Sequence, residues 1–153
     1  GLKVLDSELL QMPNLHSGSL FMLAEVGENI QLIETDNQTK MVDYLKNSAT
    51  RWSEALKHVP DKPFVLYGTG SHSARLLPSL NNKQRNNLVA VFDGNINLHG
   101  KYFGDWLVES PEELAKYPDL PILISSYRSE QLIADTLKMR FPDHLLQLMY
   151  NDV

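Results

Sequence analysis

Phe64-Val65-Leu66-Tyr67-Gly68-Thr69-Gly70-Ser71-His72-Ser73 is the stretch that decides how this chain is read. Four apolar residues without polar alternation mark a strand buried on both faces. Two glycines then break the run, and the polar residues after them predict the opening of a helix. Strand, glycine loop and helix in that order form the first unit of a doubly wound α/β sheet, and the loop lies where a dinucleotide fold holds its phosphate. Gly68 permits the tight turn and Gly70 lets the backbone approach an anion. Free N–H groups around Thr69, Ser71 and His72 would face it. Ser73 stands where the usual fingerprint has its third glycine, so the match is partial.

Working outward, Leu88-Val89-Ala90-Val91-Phe92 is a second apolar run, Pro121-Ile122-Leu123-Ile124 a third and Leu145-Leu146-Gln147-Leu148-Met149 a fourth. Helical segments are predicted between them at Ser73 to Leu80, Pro111 to Lys116 and Ser129 to Phe141. Residues 100–108 predict a short hairpin or edge strand. The alternation predicts an α/β fold, a Rossmann-like, doubly wound and mostly parallel sheet. Asp93 ends the second run, where such folds place a carboxylate that accepts from a ribose hydroxyl. A second polar cluster, Ser125-Ser126-Tyr127-Arg128-Ser129, follows the third run. In open α/β sheets ligands sit beyond the carboxyl ends of strands at the switch in strand order, so the loops at 68–73 and 125–129 are expected to face each other. The candidate ligand-binding residues are therefore Gly68, Thr69, Gly70, Ser71, His72, Asp93, Ser125, Ser126 and Tyr127. Gly68 and Gly70 also read as a plain tight turn, and Ser126 or Ser129 as a plain helix cap. His72 is the one histidine in the candidate site, with no acidic or nucleophilic partner near it in sequence. His16, His58, His99 and His144 lack metal-ligand spacing and read as surface or structural; no metal site is expected.

Upstream of this unit the pattern changes. Residues 1–27 hold two strand-like runs, Leu2 to Leu10 and Ser19 to Val26, around a segment rich in turn formers. Residues 28–60 begin polar, with Ile30, Leu32 and Ile33 as a short apolar stretch. Met41, Leu45, Ala49, Trp52, Leu56 and Val59 then draw one stripe on a helix that Asp36 or Asn37 would cap and Pro60 would end. The organisation expected is a hairpin (1–27), a linker with a long amphipathic helix (28–60) and the α/β domain (61–153). With 153 residues, of which 42% are apolar, the chain can bury roughly 70% of its unfolded surface without a staple. It has no Cys, which excludes disulfides and thiolate chemistry within these residues. A net charge of −5 with scattered Lys and Arg argues against a nucleic-acid partner. No run is long enough for a membrane helix, no secretory signal opens the chain, and the expected location is cytoplasmic.

Gly1-Leu2-Lys3-Val4-Leu5-Asp6-Ser7-Glu8 followed by His16-Ser17-Gly18-Ser19-Leu20 resembles the end of a class I S-adenosylmethionine-dependent methyltransferase domain. The last two strands of the sugar C-methyltransferase family read in a similar way. That family continues with a long helix and a Rossmann-like C-terminal domain, whose glycine loop and "VD-N" turn resemble Tyr67-Gly68-Thr69 and Phe92-Asp93-Gly94-Asn95 here. Gly100-Lys101 and Ser110-Pro111-Glu112-Glu113-Leu114 suit it too. Where the family carries Lys and Asn after the loop, this chain has Ser71-His72-Ser73. The resemblance implies a C-terminal domain that recognises a nucleotide or nucleotide-sugar and does not itself carry the methyl-transfer centre. It also implies that the loop gripping S-adenosylmethionine and a cysteine-rich zinc module lie in an upstream domain, since no cofactor loop of that kind occurs in these residues. Two other readings stay open: a stand-alone NAD-binding oxidoreductase-like or sensor domain, and an interaction module with a vestigial loop, docking a partner or a second copy as a homodimer.

Overall fold

The computed structural model describes residues 2–11, 18–26 and 36–150. The chain divides into two compact units between Leu45 and Lys46. In the first, strands β1 (Leu2–Gln11) and β2 (Gly18–Val26) pair antiparallel, with an irregularity in register between Val4 and Asp6. The turn expected between them falls on residues outside the described ones, as does the apolar stretch at Ile30, Leu32 and Ile33. Helix α1 (Asp36–Lys57) passes from the first unit into the second.

The second unit is built on β3 (Phe64–Tyr67), β4 (Leu88–Phe92), β5 (Tyr102–Phe103), β6 (Trp106–Glu109), β7 (Ile122–Ile124) and β8 (Leu146–Leu148). They form one six-stranded sheet in the order β5-β6-β4-β3-β7-β8. All neighbouring pairs are parallel except β5 with β6. Helices α2 (Ser71–Ser79), α3 (Asn82–Asn87) and α4 (Glu130–Arg140) connect the strands, with 3₁₀ turns at Ile96–Leu98 and Pro111–Lys116. The architecture is α/β and compatible with a Rossmann-like fold.

Side chains on a strand alternate between faces, so a sheet covered on both sides needs apolar residues at every position. Phe64 and Leu66 of β3 face one core with Val91 of β4, Leu123 of β7 and Leu76 and Leu77 of α2. Val65 and Tyr67 face the other, with Ala90, Phe92, Ile122, Ile124, Leu114 and the α4 residues Ala134 and Leu137. The first core is completed by the end of α1 and the turn after it: Ala55 and, beyond the helix, Val59 are buried in it, and Trp52 and Leu56 pack against it. Of the stripe expected on the long helix, Trp52 and Leu56 pack on this core, whereas Leu45 and Ala49 are exposed.

Several elements depart from the sequence reading. Pro111–Lys116 is a 3₁₀ helix, closed by the i→i+3 bond from the Tyr117 N–H to the Leu114 carbonyl. The segment at 100–108 is a hairpin as expected; its β5 lies at one edge of the sheet, and its β6 joins β4 in parallel through Val91 and Val108. No α-helix connects β4 to β6. Helix α3 was not anticipated from the pattern: none of its residues is buried, and a reciprocal capping box between Asn81 and Gln84 holds its start. Among the described residues no helix is long and apolar enough to cross a membrane.

Ala55 is 1% exposed between α1 and the sheet, so extra volume there has no room. Ala55→Leu is expected to lower stability by about 1–3 kcal/mol through overpacking, whereas Ser53→Leu on the exposed side of the same helix should leave it nearly unchanged. Urea unfolding of the two variants checks this.

Candidate functional site

β3 is the first strand of the unit and pairs with β4 on one side and β7 on the other, so the connections leaving β3 and β7 diverge there. A cleft of ≈ 570 Å³ opens at the carboxyl ends of these strands. All nine candidate residues of the sequence reading line it: Gly68, Thr69, Gly70, Ser71, His72, Asp93, Ser125, Ser126 and Tyr127. Arg75, Arg128, Ser129 and Ile133 complete the lining.

The two glycines of the loop have different reasons to be there. Gly68 has φ +100, and a Cβ on it would lie 3.1 Å from the Ser125 carbonyl oxygen. Its N–H donates to the Phe92 carbonyl at 2.7 Å, and its own carbonyl accepts from the Ser73 hydroxyl at 2.6 Å. Ser73 is fully buried, so the residue replacing the third glycine of the fingerprint ties the helix start to the turn. Gly70 has φ −77, open to any residue, and a Cβ on it would meet nothing within 4 Å. Packing within the chain therefore requires glycine at 68 and not at 70. Gly70 is also the N-cap of α2, which has no side-chain cap. The first helical bond is from the Ala74 N–H to the Gly70 carbonyl. The N–H groups of residues 71–73 therefore have no helical carbonyl to donate to.

Asp93 braces the loop. Its Oδ2 accepts from the Thr69 backbone N–H and hydroxyl, both at 2.7 Å, and its Oδ1 accepts from the Asn95 N–H at 2.8 Å. A carboxylate offers about four lone-pair positions, so on this count one position, on Oδ1, is left for a ribose hydroxyl. Ser126 accepts from the Ser129 N–H at 3.2 Å and shapes the turn into α4, while Ser129, at the N-cap position, makes no side-chain cap bond.

His72 has the partners that its sequence neighbourhood lacks. Ser125, 53 residues away, places its hydroxyl 2.8 Å from Nδ1, and Tyr150, 78 residues away, places its own 2.8 Å from Nε2. Trp52 and Tyr150 meet the imidazole edge-on, at centroid distances of 5.3 and 5.5 Å. Arg75 lies over the Trp52 ring at 4.2 Å. Burial, and then the Arg75 charge, hold the His72 pKa below its ordinary value. Tyr150 is itself fixed from behind. The Glu130 carboxylate, 5% exposed at the start of α4, accepts from the backbone N–H groups of Met149 and Tyr150. Burial raises the Glu130 pKa, against the pull of those two bonds. Tyr127 packs edge-on against Tyr150 at 5.0 Å, and its hydroxyl accepts from Arg51 at 2.9 Å.

Comparisons of the chain with protein-family models, curated proteins and solved structures found no match. The cleft is therefore read from its own chemistry. It has a backbone-rich loop, two guanidinium side chains, one braced carboxylate and an imidazole held between two hydroxyls. Sequence reasoning missed Arg75, Glu130 and Tyr150. Arg75 is one helical turn beyond Ser71, a spacing that could have pointed to it. Nothing local announces the other two. The remaining described histidines are structural: His58 donates to the Met149 carbonyl and His99 to the Asp93 carbonyl, both at 2.7 Å, and buried His144 to the Leu114 carbonyl at 3.3 Å. His16 lies outside the described residues.

Two outcomes follow from this geometry. Gly68→Ala forces a side chain into a left-handed conformation against the Ser125 carbonyl and should cost about 1–3 kcal/mol, measured by chemical unfolding. For His72 the folded pKa is depressed, so the unfolded ring binds more protons around the ordinary value of 6.5. Stability then falls as pH drops through that value. The decline should be shallower in His72→Asn, read from melting temperatures between pH 5 and 8.

Proposed function

We propose that the α/β unit is a binding domain for a nucleotide or nucleotide-sugar, and that it serves as the C-terminal substrate-recognising part of a methyltransferase that uses S-adenosylmethionine. The observation that carries the binding reading is the cleft at the switch point between β3 and β7, with its glycine loop, Arg75 and Arg128 on the lining. A phosphate fits there because helix-start N–H groups and guanidinium cations both favour an anion. Gly70 supports this reading, since nothing inside the chain demands glycine at that place, whereas a ligand approaching the backbone would. Tyr127 and Ile133 offer apolar surface for the rest of the ligand, and Oδ1 of Asp93 keeps room for one hydroxyl.

The methyltransferase part rests on the resemblance of residues 1–20 to the end of that domain. The antiparallel pairing of β1 with β2 is compatible with it. In this reading the chain itself supplies ligand recognition, and the methyl-transfer centre and its S-adenosylmethionine site belong to an upstream domain. The NAD reading is less well supported. It uses the same single free position on Asp93 Oδ1 and leaves the resemblance of residues 1–20 without a role.

Gly70→Asp separates binding from folding. Asp is a favoured N-cap and its charge suits a helix start, so stability should stay within a few tenths of a kcal/mol or rise. The same carboxylate would repel a phosphate. Calorimetry with UDP-glucose and ADP-ribose should show binding to the natural chain and at least a tenfold loss in the variant, on the order of 1.4 kcal/mol. Equal binding by both, or binding by neither, overturns the reading. S-adenosylmethionine should leave the melting temperature of this chain unchanged; a dose-dependent rise would count against placing the donor site elsewhere.

A further inference from the structure

The hydroxyl–imidazole–hydroxyl chain beneath the cleft has a donor count that depends on protonation. A neutral imidazole has one N–H donor and one acceptor nitrogen. Ser125 and Tyr150 each reach one ring nitrogen of His72, and among the described residues neither hydroxyl makes another hydrogen bond. In the neutral state one hydroxyl must therefore donate to the ring while the other accepts from it. Once the ring is protonated both nitrogens donate, and both hydroxyls become acceptors. One O–H is thereby released. Ser125 is the partner that lines the cleft, so the arrangement with Ser125 donating to Nδ1 turns ring protonation into a new donor aimed at the cleft.

We propose that an anion enters this cleft together with a proton taken up by His72, and that the proton frees the Ser125 hydroxyl to bind the anion. The inference rests on the phosphate-binding reading above and adds the linked proton and its carrier. The step conserves atoms: solvent supplies H⁺, His72 holds it at Nδ1, and the Ser125 hydrogen changes acceptor from Nδ1 to the ligand oxygen without leaving Ser125. Tyr150 and Glu130 are positioning residues. Glu130 fixes the backbone of residues 149–150, and Tyr150 fixes the ring through Nε2.

The charges around the ring support the linkage. On its own helix Arg75 disfavours the imidazolium. From α1 the ring meets the uncharged Trp52. From the end of β7 it meets the hydroxyl of Ser125. From beyond β8 it meets Tyr150, whose phenol burial holds in the protonated form. Glu130 is one residue removed, behind Tyr150, and Asp93 and Arg128 stand on the cleft lining. Among the described residues no acidic side chain hydrogen-bonds to His72, and burial with the Arg75 charge favours the neutral ring in the free protein. An anion in the cleft supplies the missing negative charge.

The test uses UDP-glucose and ADP-ribose, whose diphosphate bridges do not titrate between pH 5 and 8. Calorimetry in two buffers of different ionisation heat counts the protons taken up, and affinity is followed across the same pH range. NMR of the His72 ring reads its pKa with and without ligand. The expected result is uptake of up to one proton at pH 7, a His72 pKa raised by ligand, and an association constant falling by as much as about tenfold per pH unit between the free and bound pKa values. Ser125→Ala should lower affinity at acid pH and flatten the profile. His72→Asn should abolish proton uptake, with the melting temperature of each variant reporting folding. Binding without proton uptake, or uptake that persists in His72→Asn, overturns the inference and leaves the phosphate-binding reading standing. Absence of binding at every pH overturns both.

Discussion

The contact on which the site depends is the approach of the Gly68 backbone to the Ser125 carbonyl. The two loops leave adjacent parallel strands, and the Ser125 N–H donates to the Tyr67 carbonyl at 3.0 Å, extending the β3–β7 ladder one step past the strands. On the other side the Gly68 N–H extends the β3–β4 ladder to the Phe92 carbonyl. β3 is therefore tied to both neighbours up to the residue where the chain turns. A residue without Cβ, tolerant of φ +100, occupies that turn without strain. The buried Ser73 hydroxyl then fixes the Gly68 carbonyl, which sets where α2 begins. The position of His72 follows from that start, and its hydrogen bond to Ser125 closes the circuit.

Around this circuit the apolar side chains of the strands face the cores, and the polar side chains of the loops face the cleft. Ser125 is 3% exposed and Glu130 5%, yet each has partners, and no buried side-chain nitrogen or oxygen among the described residues lacks one. A fully satisfied buried network specifies one arrangement, because any rearrangement strands a group in a low-dielectric setting. Glu130 illustrates this. Its burial disfavours the charge, but two backbone N–H groups beyond the end of β8 rely on it as acceptor. The acid at the start of α4 thus holds the chain that carries Tyr150, at the far edge of the same sheet.

β3 and β4 were legible to the residue, because runs without polar alternation demand burial on both faces, and 64–67 and 88–92 are such runs. That the nine candidate residues meet in one cleft was legible for a related reason: the switch-point rule needs only strand order and loop position. What escaped depended on long-range register. Tyr150 reaches His72 only because β8 pairs with β7 through Ile124 and Leu148, and no local pattern specifies that neighbour. The 3₁₀ turn at Pro111–Lys116 escaped because composition does not distinguish i→i+3 from i→i+4 closure in six residues. Helix α3 escaped because, with no buried face, it has no apolar period to read; its Asn81–Gln84 cap was the one available sign.

The contrast between Asp93 and Gly70 shows how far a sequence fingerprint goes in this fold. Both belong to the pattern expected for a dinucleotide loop. In the structure Asp93 has a full intramolecular reason to exist, since it ties the end of β4 to Thr69 and to the turn at Asn95. Its presence would be explained without any ligand. Gly70 has no such reason, because its conformation suits any residue and its surroundings are open. The weight of the binding argument therefore shifts from the carboxylate, the more eye-catching residue in the sequence, to the glycine. It shifts as well to the imidazole behind it, whose two hydroxyl partners make its charge state a property of the whole cleft rather than of one side chain.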